Sequence, residues 1–153
     1  MQFEHLLAVN GPDEPVMLNR EELWFGLLCR VEDARPFLPG LESCRIVERR
    51  PDELVRELHF GSTVIRDRVR LSALDWVRFE TETMQEHVGG SLTIHIVEDE
   101  AGVFFLRFRY ETNLPEHTDE ETKYASIVRS AYYRSDIDTL QAIRVIARSG
   151  RPQ

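Results

Sequence analysis

Two periodicities divide the chain. Between residues 20 and 31 the apolar positions Leu23, Trp24, Leu27, Leu28 and Val31 recur at intervals of three and four, the spacing of one buried helix face. From Leu41 to Thr112 the interval drops to two, as in strands with one buried and one solvated face. After Thr118 the helical interval returns, through Ala125, Val128, Tyr132, Ser135, Thr139, Ile143 and Ile146. A helix of about 30 residues at 1.5 Å each is roughly 45 Å long, enough to cross a sheet.

Turn and capping residues set the boundaries. Residues 3–9 read as a first strand, closed by Asn10-Gly11-Pro12-Asp13. Asn19 with Glu22 three residues on is a capping-box pattern for the first helix, and Thr118 with Glu121 repeats it for the last. Asp33 and Pro36, followed by Pro39-Gly40, predict a short second helix over 33–38. Six strands follow at 42–49, 54–60, 63–72, 76–83, 90–98 and 103–112, joined by short turns that include Gln85 to Gly89. Short turns pair neighbours antiparallel in sequence order. The pattern is β-α-α-β6-α, an α+β domain over residues 1–150 with a short tail at 151–153, and it shows neither internal repeat nor linker.

Short turns also predict register. Across Gly61-Ser62, Leu58 faces Ile65, Arg56 faces Asp67 and Leu54 faces Val69. Across the next turn Val69 faces Phe79 and Asp67 faces Thr81; across the last, Ile96 faces Phe104, Ile94 faces Leu106 and Leu92 faces Phe108. The opposite face sets Glu57 against Arg66, Arg66 against Glu82 and Arg68 against Glu80, as a solvated ladder of opposite charges would. Arg56 and Asp67 break the apolar face. Buried charges must be paired, and these two can pair. They are either a structural ion pair or a polar anchor on a cavity wall.

The last helix carries a second exception. Its stripe is apolar at both ends and polar in the middle, at Tyr132, Ser135, Thr139 and one of Asp136 or Asp138; the helical phase alone does not choose between the aspartates. A helix over a filled core would be apolar throughout, so the window points to a cavity beneath it. The alternative is a helix overhanging the sheet edge with those residues in water.

Composition excludes several classes. A sequence of 153 residues with 42% apolar and 30% charged positions can bury a core of its own. The formal charge of −8 argues against nucleic acid as a partner, and 18 of the 19 basic residues are Arg. No apolar run is long enough for a membrane span. The start, Met1 to His5, has no basic region before an apolar stretch, so no signal peptide is expected and the cytoplasm is the default location. Cys29 and Cys44 are too few for a disulfide framework and are expected to be reduced and buried. The five histidines lack metal-ligand spacing, and no phosphate-binding or nucleophile motif occurs, so neither metal nor cofactor is expected. His5 reads as a core histidine.

The runs FLPGLESC (37–44), RELHFG (56–61), VIRDRVRL (64–71), GGSLTIHI (89–96), FLRFRYET (105–112) and SAYYRSDIDT (130–139) together resemble the START-like (SRPBCC) superfamily, and within it the AtaL-like subfamily. The resemblance covers about residues 1–148. It implies the helix-grip fold, a curved antiparallel sheet of about seven strands wrapped around a long C-terminal helix, with a hydrophobic cavity between them. Members include the birch-pollen allergen group and polyketide cyclases, so the resemblance implies an apolar ligand without implying catalysis.

Two functions follow. The first is binding of a small hydrophobic molecule, lipid-, polyketide- or aromatic-like, between Phe79, Leu92, Phe108, Tyr110 and Tyr132, with Arg56, Asp67, Thr81, Ser135 and Thr139 as polar handles. The second is a cyclase or dehydratase acting in the same cavity, with Asp67, Asp136 or Asp138 as general base and Arg56 stabilising an oxyanion. A filled-core interaction module is a third reading, and a homodimer stays open.

Overall fold

The computed structural model of the chain describes residues 1–82 and 89–150. In order, the elements are β1 (Gln2–Ala8), α1 (Arg20–Glu32), β2 (Ser43–Arg50), β3 (Glu53–Phe60), β4 (Thr63–Ser72), β5 (Trp76–Thr81), β6 (Gly90–Glu98), β7 (Phe104–Thr112) and α2 (Asp119–Gly150). The strands form one antiparallel sheet in the order β1-β7-β6-β5-β4-β3-β2, which wraps around the long α2 in the helix-grip arrangement. The strand expected over 76–83 ends at Thr81, with Glu82 already outside it; residue 83 and residues 85–88 of the expected turn lie outside the described residues.

Both capping boxes form. Asn19 Oδ1 accepts from Glu22 N at 2.9 Å while Asn19 N donates to Glu22 Oε1. Thr118 Oγ1 accepts from Glu121 N at 3.1 Å while Thr118 N donates to Glu121 Oε1. The second short helix is replaced by turns. Phe37 N and Leu38 N both donate to Ala34 O, and the chain runs on without a helix. Two local effects explain this: Asp33 binds the Arg35 main chain and guanidinium, and Pro36 and Pro39 bring no N–H to continue a ladder.

The registers of β3, β4 and β5 are as expected, with Arg56 opposite Asp67 and Asp67 opposite Thr81. The β6–β7 hairpin is slipped by two residues: Ile96 faces Leu106, Ile94 faces Phe108 and Leu92 faces Tyr110. The cause is a longer loop built on Asp99. Its carboxylate accepts from Ala101 N and Val103 N, and Gly102 takes a left-handed φ of 81°. A slip of two keeps every side chain on its face, so the inner surface stays apolar.

On the outer face Glu57 meets Arg66 at 3.8 Å, but Arg68 reaches diagonally to Glu53 and Glu80 takes Arg78 two residues away on its own strand. Glu82 meets Arg66 only through its main-chain N–H, which donates to Arg66 O. The ladder is real; two of its rungs differ from the expected ones.

The helices meet at Gly26. A Cβ there would lie 2.6 Å from Ile143 Cγ2, so only glycine lets α1 approach α2 this closely. Leu23, Leu27 and Val31 of α1, Ile143 of α2 and the inward residues Val69, Val77, Ile94, Leu106 and Phe108 form the core. Cys29 and Cys44 are free and half-buried rather than buried. Among the described residues no helix is long and apolar enough to cross a membrane.

Candidate functional site

The inner face of β3 and β4 holds a charge pair. Arg56 Nε donates to Asp67 Oδ1 at 2.9 Å and Nη2 to Oδ2 at 2.6 Å, and both side chains are almost wholly buried. The same guanidinium turns its Nη1 to Arg30 O at 2.9 Å and Val31 O at 3.0 Å. These are carbonyls of the last turn of α1, which have no partner within the helix and carry its negative end. Arg56 therefore ties the sheet to a helix terminus.

Arg30 lies on the same α1 face as Leu23 and Leu27 and points inward. It is 7% exposed; its Nη1 donates to Thr139 Oγ1 of α2 at 2.7 Å. Its guanidinium carbon is 5.1 Å from the centroid of the Phe79 ring, and that of Arg56 is 5.2 Å from it. Burial lowers the proton affinity of Arg30 from a starting point so high that the cation persists.

The second polar group centres on Asp136, which is fully buried. Tyr110 from β7 donates its hydroxyl to Oδ1 at 2.5 Å, and His5 Nε2 from β1 sits 2.6 Å from Oδ2. Burial pushes the Asp136 carboxyl above the usual carboxylate range, and the two hydrogen bonds offset part of that rise. Burial, then the neighbouring Asp136 charge, pushes the Tyr110 phenol far above its ordinary value, so it is a hydrogen-bond donor at any physiological pH. Tyr132 stacks flat on Tyr110, with ring centroids 3.9 Å apart and planes 3° apart, and burial raises its phenol too.

Between these groups is a cavity of about 300 Å³. Of the residues expected on its wall, Arg56, Asp67, Phe79, Thr81, Leu92, Tyr110 and Tyr132 line it, joined by Leu38, Leu58, Phe60, Ile65 and Arg30. Three others stand off the wall. Phe108 is buried behind it, stacked on His5 at 5.3 Å; Ser135 is half-buried; Thr139 is buried and occupied by Arg30. Of the two aspartates Asp136 turns inward and Asp138 is exposed, so Asp138 has no access to the cavity.

Sequence reasoning missed Arg30 and left His5 without its partner. Arg30 had a signal, since it falls three residues after Leu27 and seven after Leu23 in an apolar stripe. His5 had only its inward position on the first strand.

A seven-stranded sheet gripping one long helix, with a cavity between them, defines a protein of the helix-grip fold. Within it the chain belongs to the AtaL family, described as acetylaranotin biosynthesis cluster protein L, whose pattern matches residues 4–150. Among solved structures it is similar to the ZhuI aromatase/cyclase from Streptomyces sp. R1128, at 15% identity over 97% of this chain and 93% of that one, with a TM-score of 0.69. It is similar to Ara h 8.0201, at 14% identity over 98% and 99%, with a TM-score of 0.62. It also matches half of the di-domain aromatase/cyclase StfQ of the steffimycin biosynthetic pathway, at 14% identity over 97% of this chain and 50% of that one, with a TM-score of 0.71. No curated protein matches by sequence. At these identities the likeness is one of fold.

Proposed function

We propose that this protein binds a small, mainly hydrophobic molecule in the cavity between sheet and α2. The observation that carries the reading is the cavity itself. About 300 Å³ is at the low end of the range for small-molecule sites, and Leu58, Phe60, Ile65, Phe79 and Leu92 make its wall predominantly apolar. Its charged groups are held in place, Arg56 and Asp67 by each other and Arg30 through Thr139, as an oriented ligand requires. The fold relatives include aromatase/cyclases, which is compatible with this reading. Native mass spectrometry of the purified protein tests it: a co-purified small molecule, or stoichiometric uptake of the neutral dye N-phenyl-1-naphthylamine, is expected. Absence of both would remove it.

A second reading, ring closure or loss of water on a polyketide-like substrate in the same cavity, is favoured by one contact. Tyr110 lines the cavity and its hydroxyl is hydrogen-bonded to Asp136, so a carboxylate raised by burial would act on the cavity through a phenol. Asp67 and Arg56 suit that chemistry less, because each is taken up by the other. Turnover of a synthetic poly-β-ketone thioester that is lost in Asp136→Asn, with dye uptake retained, would support it.

A further inference from the structure

We infer that Arg30 is the anchor for an anionic oxygen on the ligand, so that the cavity takes an apolar, aromatic-bearing acid (a carboxylate or acidic enol) rather than a neutral hydrocarbon or sterol. The inference rests on the ligand-binding reading above and gives it a substrate class.

Among the described residues three charged side chains line the cavity: Arg30, Arg56 and Asp67. Arg56 and Asp67 satisfy each other through two parallel hydrogen bonds, and the Arg56 Nη1 is spent on the end of α1. Arg30 has no such match. Among the described residues only its Nη1 is engaged, by a neutral hydroxyl, and no carboxylate comes within 4 Å of it. Asp136 is close enough for its charge to act on Arg30, but its two oxygens are held by Tyr110 and His5. A guanidinium carries five donors in a planar fork suited to two oxygens of an anion. One that is nine-tenths buried, on a cavity wall, with most donors uncommitted, is costly unless something completes it.

The surroundings fix both the charge and the shape of what completes it. Thr139 holds one edge of the fork and the Phe79 ring lies against the guanidinium, so Arg30 presents a fixed remainder to the cavity. The flat Tyr110–Tyr132 stack borders the same cavity and offers a planar surface to a ring. Charge at one point and flat apolar walls around it describe an aromatic acid.

The test uses two dyes that share a ring system, 8-anilinonaphthalene-1-sulfonate and the neutral N-phenyl-1-naphthylamine, titrated into the full chain and followed by fluorescence. The wild type should bind the sulfonate more tightly, by on the order of tenfold or more for a charge-assisted contact in a buried site. Arg30→Met should erase that preference and leave neutral binding within about twofold; Arg30→Lys should retain part of it. Should Arg30→Met not fold, Thr139→Val, which frees the fork, should weaken the sulfonate several-fold and leave the neutral dye unchanged. A sulfonate preference that survives in a folded Arg30→Met, or that Thr139→Val leaves undiminished, overturns the inference, as does single-site neutral binding with no preference in the wild type. The latter would leave the cavity reading intact. If neither dye binds at a single site, the cavity reading itself fails and takes this inference with it.

Discussion

Arg56 and Asp67 form a two-pronged ion pair on the inner face of the sheet, and the same Arg56 holds the last carbonyls of α1. Removing one partner leaves a buried charge alone, at a cost of about 3–5 kcal/mol. The double change Arg56→Met with Asp67→Leu should cost well under the sum of the two single changes. It should not fall to zero, because the carbonyls of Arg30 and Val31 lose their donor in any variant without Arg56. Denaturant unfolding of the four proteins measures this. Coupling of about 1 kcal/mol or less, as between exposed charges, would contradict the buried pair.

A second expectation concerns pH. The folded Asp136 carboxyl is raised by burial, whereas in the unfolded chain it titrates near about 3.9. Between those two points the native state holds the proton more tightly, so this group's contribution to stability falls as pH rises through the window. It then stays at its lower level. Asp136→Asn does not titrate. The stability difference between the two proteins should therefore move in favour of Asp136→Asn as pH rises above about 4, at about 1.4 kcal/mol per tenfold change in proton affinity. Urea midpoints measured side by side from pH 3.5 to 8 read it. A difference that moves toward the wild type would mean that His5 and Tyr110 outweigh burial.

Filling the cavity should separate its wall from the residues behind it. Thr81 faces Asp67 across the β4–β5 ladder and lines the cavity, so Thr81→Phe should abolish uptake of N-phenyl-1-naphthylamine while the melting transition stays cooperative. Ser135 lies on α2 off the wall, and Ser135→Phe should leave uptake within about twofold of wild type. Equal effects of the two changes would misplace the cavity.

The contact between helices predicts a steric clash. Gly26→Ala would set a methyl group 2.6 Å from Ile143 Cγ2 and 2.7 Å from Cγ1, at a cost of roughly 1–3 kcal/mol. Ile143→Ala removes the opposing atoms and by itself costs about 2–5 kcal/mol through the space it leaves. The two together should cost less than their sum in denaturant unfolding. Strict additivity would mean that α1 and α2 do not touch there.

Much of the scaffold was legible in the sequence because it depends on local counting. A change of period from 3.6 to 2 and back sets helices and strands, and Asn19/Glu22 and Thr118/Glu121 mark helix starts through bonds three residues apart. The turn at Gly61-Ser62 places Arg56 opposite Asp67 by arithmetic. The same arithmetic failed by two residues at Asp99, where side-chain hydrogen bonds lengthen the loop, and at 33–38, where Asp33 and two prolines stop a helix that the spacing allowed.

The site itself was decided by packing. Asp136 and Asp138 flank the same stripe, and only the rotation of α2 against the sheet turns one to Tyr110 and His5 and the other to solvent. His5 and Asp136 are 131 residues apart, and Arg30 and Thr139 are 109 apart. No spacing rule reaches that far. Sequence by itself determined most of the helices and strands and which face of each strand turns inward, because main-chain hydrogen bonding and side-chain alternation act within a few residues. The tertiary structure decided which inward groups meet, because that depends on how closely two helices and a curved sheet can pack, here with Gly26 against Ile143.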